Sequence, residues 1–525
     1  MTTIAQQFTS LYEIEKIHAQ AQQAFRAGKA MSIAFRKQQI SQLGYLIKDN
    51  EERFKEALMH DLRRPALETE FLEFAQVYHD VAKAYNAIEK WTAPTRAEFD
   101  LNWWFMGPKH KAEPKGVALI ISPFNCPVML ALSPLVGAIA GGNAAVIKPS
   151  EQAPALSALL AELVPKYLDP ELYHVILCGV PEVTKACTIY SQIVARLTFI
   201  HSQVLELRWD HRNGRIARII AAAASKHLTP LTLEVWKNPV VIDPKVDLKF
   251  AARRIFWGRC LGAGQICVAP EYILVPFNIQ DDLVDAIKDV YHSFFPDGPE
   301  KSDSLGRIVS EAHTRRIKNL IDHTRGTIVF GGEADVSRKY VSPTLVKDVP
   351  EDDSLMSEEI FGPVLLIIPV KDVDQAIEFI NERDDPLVVH VFSKDKAFQG
   401  KVFSNTRSGS CVANETMIVV GANGLPMGGT GASGYGYFTG KDMFDQFTHK
   451  RASIDNPGWV DKVGFSCRYP PYKSLKPMMA LAPSLPPRVG THRRSWRWVI
   501  WLLLAAMAAG VRLRAEKLGV KMIPL

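Results

Sequence analysis

No CxxC pair occurs among the seven cysteines of this 525-residue chain, Cys126, Cys178, Cys187, Cys260, Cys267, Cys411 and Cys467. Their odd number and wide spacing argue against a disulfide framework and against a zinc site built on paired thiolates, and point to a reducing compartment. No metal site is expected. The net charge is low, +6 at pH 7, and part of it sits near the C-terminus, which argues against nucleic-acid binding. The opening segment MTTIAQQFTSLYEIEK has neither a basic stretch nor an apolar core, so it does not read as a secretory signal. Short-period repeats and long low-complexity tracts are absent from the body of the chain. What remains is an ordinary globular balance, 47% hydrophobic and 22% charged. It suffices for a large core and, at this length, for roughly two or three domains.

One long apolar run is present, WVIWLLLAAMAAGV at residues 498–511, with Arg493, Arg494 and Arg497 before it and Arg512, Arg514 and Lys517 after it. As a helix it would reach about 21 Å at about 1.5 Å per residue. A bilayer core of about 30 Å is longer, unless snorkelling arginines and interfacial tryptophans extend the span. A membrane anchor and a helix packed on the protein are both open readings. The Pro-rich lead-in APSLPPRVG reads as a linker, and the basic flanks suit a membrane interface.

Residues 1–90 carry apolar side chains at helical spacing, with helices expected over 4–27, 36–60 and 68–91. Residues 92–113 read as an extended arm. From Lys115 the pattern changes. GVALIISP, NAAVIKPS and YHVILCG are short apolar strands, separated by the helical LALSPLVGAIAGG and by APALSALLAELVPKYL with its early proline. Strand–helix alternation of this kind predicts an α/β fold with a parallel sheet covered on both faces. The second half repeats it, with strands in PVVID, EYILVP, LLIIPV and LVVHVFS and helices in LKFAARRIFWGRC, IQDDLVDAIKDVYHSFF and VDQAIEFINER.

Six motifs carry candidate chemistry. In GAGQICV, Cys267 sits in a crowd of small residues that lets a carbonyl approach closely and leaves backbone N–H groups free. Its thiolate would be a nucleophile, whereas most buried cysteines are inert small hydrophobes. In SPFNCP, Ser122, Phe124 and Asn125 follow a strand, where ligands of parallel α/β sheets collect. The Asn125 amide can donate to an oxyanion, or can simply form a turn between prolines. In KPSE, Lys148 and Glu151 could meet ribose hydroxyls, and Ser150 could instead cap a helix. In SEEIFGP, Glu359 and Phe361 could hold a sugar and a ring, or lie in a solvated loop. Glu234 is a carboxylate in the apolar strand LTLEV and needs a partner or a task. The glycine-rich LPMGGTGASGYG matches no phosphate loop and is weak evidence alone.

Taken together and in this order, the motifs resemble the aldehyde dehydrogenase superfamily. The class 3 and fatty aldehyde dehydrogenase branch, including fungal apocarotenal dehydrogenases, is the most similar. PKGVALIISPFNCPVMLALSPLVGAIAGGNAAVIKPSEQAPA, AAAASKHLTPLTLE and SEEIFGPVL carry the resemblance, which spans about residues 5–455. It implies an aldehyde dehydrogenase fold. A Rossmann-like cofactor domain would comprise 1–91 and 114–233, and an α/β catalytic domain 234–440. A small β oligomerisation arm would comprise 92–113 and 441–460, with a linker at 461–497 and a hydrophobic tail at 498–514 as membrane anchor. The same resemblance implies oxidation of a long-chain aliphatic or isoprenoid aldehyde to its acid, with NAD, or alternatively NADP, as cofactor. Cys267 would be the nucleophile, Asn125 the oxyanion donor and Glu234 the general base. Ser122, Phe124, Lys148, Ser150, Glu151, Glu359 and Phe361 would bind the cofactor. A homodimer is implied, held by its tail to the cytoplasmic face of an intracellular membrane such as the endoplasmic reticulum, or otherwise cytoplasmic.

The chain departs from the family pattern in two places. A Phe-Thr-Gly-Ser segment is replaced by IVARLTFIHSQVLELRWDHRNGRIAR. Glu-Leu-Gly-Gly-Lys-Ser-Pro becomes EVWKNP, with Trp236 where a glycine pair would admit cofactor and water. The alternative expectation is therefore a catalytically impaired, membrane-attached relative: a binding protein or an esterase-only remnant using Cys267 and Asn125.

Overall fold

The computed structural model describes residues 8–100, 102–179, 192–195, 215–226, 228–234, 237–422, 424–472 and 474. A helical layer opens the chain: Leu11–Arg26, Ile33–Lys48, Glu51–Leu62, Ala66–Thr69 and Ala75–Thr92. The first starts on a capping box in which Ser10 and Glu13 each accept from the other's backbone N–H. The expected single helix over 36–60 is two, because the chain stops at Asp49 and restarts after Asn50. Between Thr69 and Ala75 the helix widens into a π turn, Glu70–Phe74, a local irregularity often found beside functional sites.

The apolar runs build two sheets. The first has the order Gly434–Tyr435, Leu231–Glu234, Gln192–Ala195, Val117–Ile121, Ala144–Lys148, Tyr173–Val175. Its pairings are parallel except the first. Helix Met129–Gly141 links Val117–Ile121 to Ala144–Lys148, and helix Pro154–Tyr167 links that strand to Tyr173–Val175, as the alternating pattern predicts. Both long strands are buried along their whole length, which is why their residues, the terminal Lys148 apart, are apolar rather than alternating.

The second sheet runs Thr327–Phe330, Thr344–Lys347, Val364–Val370, Pro270–Pro276, Asn238–Ile242, Val388–Phe392, Ser410–Ala413. Only the pair at its Thr327–Phe330 edge is antiparallel. Thr95–Arg96, Lys109–Pro114 and Thr448–Ser453 make a separate three-stranded sheet.

The chain divides into two compact units. One holds residues 1–96 and 109–452, with the two large sheets; the other holds 97–108 and 453 onward. In the second, Met106, Val460 and Phe465 are buried together, with Trp103 against Phe465 and Phe105 against Trp459. Among the described residues no helix is long and apolar enough to cross a membrane. The apolar run at 498–514, most of the divergent stretch 196–214 and Trp236 lie outside the described residues.

Candidate active site

Cys267 follows a turn with an unusual backbone. Gly262, Ala263 and Gly264 have φ of 59°, 54° and 73°, three consecutive left-handed residues. Such a turn suits glycine and strains Ala263. At Gly264 there is a second requirement: a Cβ there would lie 2.2 Å from the carbonyl oxygen of Gly362. The glycine therefore brings the Cys267 loop backbone-to-backbone onto the EEIFGP loop. Gln265 fastens the turn, donating to the carbonyls of Gly262 (3.1 Å) and Arg307 (3.0 Å) and accepting from Val309 N–H (3.0 Å). Beyond the thiol, Asn238 Nδ2 donates to the Cys267 carbonyl at 2.6 Å and to that of Ala269 at 3.1 Å. His390 lies against the carbonyls of Val268 and Glu415, and burial pulls its pKa down to about 4.

Asn125 reaches the same place from the first sheet. It is fully buried, in the loop that leaves strand Val117–Ile121. Arg64 Nη2 donates to its carbonyl, and Arg64 Nη1 pairs with Glu73. The other Glu73 oxygen accepts the N–H groups of Val128 (3.1 Å) and Met129 (2.9 Å) where helix Met129–Gly141 begins, a favourable place for a carboxylate. A buried ion pair from the helical layer thus sets the Asn125 loop. Glu68, from the same segment, accepts Gly262 N–H at 3.2 Å.

The sulfur and the amide share a cavity of about 270 Å³. Leu72, Met129, Leu130, Ile266, Met417 and Val420 make much of its wall, and Gln76 and His79 add polar groups. Cys126 also lines it. An apolar chamber with the Cys267 thiol and the Asn125 amide in its wall can accept a carbonyl there and hydrocarbon along its length.

Glu234 ends strand Leu231–Glu234, with Gly434 as its antiparallel backbone partner; the strand's backbone alone is described at this residue. The glycine-rich segment 425–436 thereby has a structural task. It folds tightly on itself, with no room for a Cβ between Gly428 and Gly436 or between Gly429 and Ser433, and lays Gly434–Tyr435 on the edge beside Glu234.

The cofactor-binding candidates fall into two groups. Ile121 and Lys148 are paired in register at the C-terminal ends of neighbouring parallel strands, so SPFN and KPSE meet at one sheet edge, where dinucleotides bind in such folds. Lys148 is buried and ion-paired to Glu151. Ser122 Oγ donates weakly to the carbonyls of Pro123 and Pro127, both at 3.4 Å. Ser150 Oγ accepts only Gln152 N–H. It does not cap helix Pro154–Tyr167: the first N–H groups there, of Ala155 and Leu156, go to Asp61 at 3.2 and 3.0 Å.

The second group is on the loop that packs against the Cys267 loop at Gly362. Phe361 has φ of 50° and meets Phe124 edge to face, ring centroids 5.9 Å apart. Glu359 is buried rather than solvated. Burial and the adjacent Glu271 hold its carboxyl well above the usual carboxylate range, against Lys237, Arg259 and Arg316. Lys237 bonds Glu271 (2.8 Å) and the carbonyls of Leu355 and Glu358. Glu271 accepts Ile360 N–H at 2.7 Å, and Arg316 holds Glu358 at 2.9 Å. An ammonium beside a carboxylate at one edge, with a buried carboxyl at Glu359 and a pair of aromatic rings at Phe124 and Phe361, is a donor set that fits ribose hydroxyls and a planar ring. Among the described residues no cluster of His, Cys, Asp and Glu could hold a metal.

The aldehyde dehydrogenase family model matches residues 3–452. The chain belongs to the aldehyde dehydrogenase family. It is 37% identical over 460 residues to mouse aldehyde dehydrogenase family 3 member B1, covering 87% of this chain and 94% of that one. It is 36% identical over 464 residues to the dog aldehyde dehydrogenase named as dimeric and NADP-preferring, covering 87% and 98%. Among solved structures it is similar to AldH of Staphylococcus aureus in a substrate-bound state, with 33% identity, a TM-score of 0.83, and 89% and 99% of the two chains covered. The aldehyde dehydrogenase fold and the class 3 branch expected from the motifs are both borne out.

Sequence reasoning did not find Arg64, Glu68, Glu73, Asn238, Gln265 or Glu271. Glu73 has a signal, a carboxylate among the apolar Phe71, Leu72 and Phe74 in an expected helix. Glu271 shows the same signal at the start of an apolar strand, where Asn238 is a polar but uncharged counterpart.

Proposed function

We propose that the chain oxidises a long aliphatic or isoprenoid aldehyde to its carboxylic acid with NAD, or alternatively NADP. The observation that carries this is the shared apolar cavity of Cys267 and Asn125. The Cys267 thiolate attacks the aldehyde carbon and forms a C–S bond. The Asn125 amide and the Cys267 backbone N–H receive the charge that develops on oxygen. When bound, the dinucleotide supplies the acceptor for the hydride. Glu234 takes a proton from the water that cleaves the resulting thioester, releasing the acid and the Cys267 thiol. Lys148, Glu151, Ser122, Phe124 and Ser150 would hold the adenosine side of the cofactor, and Glu359 and Phe361 its nicotinamide ribose and ring. Residues 1–91 with 114–233 form the cofactor domain in this reading, and 234–440 the catalytic domain.

Homodimer formation through 92–113 and 441–460 belongs to the same proposal. So does attachment through residues 498–514 to the cytoplasmic face of a membrane, supported by the arginines on both sides of the apolar run and by Trp496, Trp498 and Trp501 at its start. Measuring NADH formation with a long straight-chain aldehyde tests the chemistry. Activity that depends on Cys267 is the expected result, and turnover that survives Cys267→Ala contradicts it.

A second reading rests on the EVWKNP sequence, whose Trp236 replaces a small residue of the family pattern. In it the protein cleaves esters through Cys267 and Asn125 without cofactor, or only binds its ligand. Ester cleavage with no NADH formation and no NAD binding favours this second reading.

A further inference from the structure

We propose that Glu68 is a positioning residue for the nucleophile, holding Gly262 N–H so that the left-handed turn presents Cys267 toward Asn125. The inference rests on the reading of Cys267 as the nucleophile. Three consecutive positive-φ residues, one of them Ala263, persist only where the surroundings over-determine them. The Gly262 peptide is held on both sides: its carbonyl accepts from Gln265 Nε2 at 3.1 Å and its N–H donates to Glu68 Oε2 at 3.2 Å. Gln265 belongs to the turn itself. Glu68 comes from the helical layer, 194 residues earlier. Four residues before Glu68, Arg64 grips the Asn125 carbonyl, and five residues after it Glu73 grips the start of helix Met129–Gly141. One short segment, 64–73, therefore touches both the nucleophile loop and the oxyanion-donor loop, and its rigidity sets their separation.

The acceptor is also titratable near neutrality. Burial pushes Glu68 up to about 7, opposed by the Arg64 charge and the Gly262 N–H. Arg64 and the buried thiol of Cys260, which burial pushes up, are the charged or titratable groups that face it. The ionised carboxylate is the stronger acceptor, so the turn is held more firmly as pH rises through neutrality.

The full chain carrying Glu68→Ala or Glu68→Gln tests this. Steady-state kinetics is combined with iodoacetamide alkylation of Cys267, followed by mass spectrometry across neutral pH. Glu68→Ala is expected to lower kcat about tenfold, with KM changed about twofold or less, because a bond to a charged acceptor is lost. Glu68→Gln, which still accepts, restores most of kcat and removes the step near neutral pH from both the kcat and the alkylation profiles. Wild-type kcat and pH profile in Glu68→Ala overturn the proposal. So does a glutamine variant as impaired as the alanine one. If the wild-type chain makes no NADH, the alkylation profile decides alone, and identical profiles for wild type and Glu68→Ala overturn the positioning role. If Glu68→Ala does not fold, Glu68→Gln carries the test through its pH profile.

Discussion

Gly264 and Gly362 stand backbone against backbone, and a Cβ at 264 would lie 2.2 Å from the Gly362 carbonyl oxygen. This contact joins the nucleophile loop to the loop of Glu359 and Phe361. Gly264→Ala therefore meets both a left-handed φ of 73° and a backbone clash that no side-chain rotation relieves. The strain alone costs about 1 kcal/mol and the clash more. Thermal unfolding is expected to show a lowered melting temperature, and cysteine labelling a displaced Cys267.

The Arg64–Glu73 pair is fully buried, and Glu73 also takes two backbone N–H groups. Removing one partner leaves an uncompensated charge. Arg64→Met is expected to destabilise the fold by about 3–5 kcal/mol, a larger loss than any exposed ion pair such as Arg53–Glu162 would show. Denaturant unfolding of Arg64→Met and of Arg53→Met checks the contrast.

Glu68 has a folded-state pKa raised to about 7 from 4.5. A raised carboxyl pKa contributes stability that is present below the unfolded value and lost as pH rises through the folded one. Between about pH 4.5 and 7 wild type thus loses stability that Glu68→Gln keeps. The difference approaches about 2 kcal/mol above neutrality, once reduced for the partial exposure of the residue. Glu68→Gln is expected to raise the melting temperature at pH 8 and to leave it nearly unchanged at acid pH. The same carboxylate would then hold the turn for function and weaken the fold at the pH of catalysis, a trade-off known for strained sites.

In the proposed mechanism Asn125 is the side-chain donor to the developing oxyanion. Asn125→Ala is expected to lower kcat by roughly a hundredfold or more, while Cys267 remains open to alkylation because the thiol itself is untouched.

Val420 forms part of the apolar wall. Val420→Trp fills space that hydrocarbon would occupy. The ratio of kcat/KM for long over short aldehydes should fall by roughly tenfold or more, since each methylene excluded is worth about 1–3 kcal/mol.

The sequence made the apolar strands legible because burial on both faces leaves a plain run of Val, Ile, Leu and Ala, as in Val117–Ile121 and in Ala144–Lys148 up to its terminal lysine. The helix Leu248–Cys260 matched its expected bounds for a similar reason, an Asp247 cap followed by a regular amphipathic face. The edge strand Ser410–Ala413 was not read, since its side chains are half exposed and mostly small or polar. Cys267, Asn125 and Glu359 stood out as candidates because their loops carry glycine and proline. Long-range partners were hidden. The sequence shows Asp61, Arg64 and Glu68 as charged residues near the junction of two helical stretches, not that they reach the start of helix Pro154–Tyr167, Asn125 and Gly262. Lys148 and Glu151 were read as separate ligands of a sugar, whereas the fold pairs them with each other.

The most direct test of the account is to quench the enzyme in acid during turnover of a long-chain aldehyde with NAD and to map the acyl adduct by peptide mass spectrometry. The account predicts a thioester on the peptide that carries Cys267, accumulating further when Glu234 is replaced by glutamine. An adduct confined to another residue, such as Cys126 in the same cavity, would contradict it.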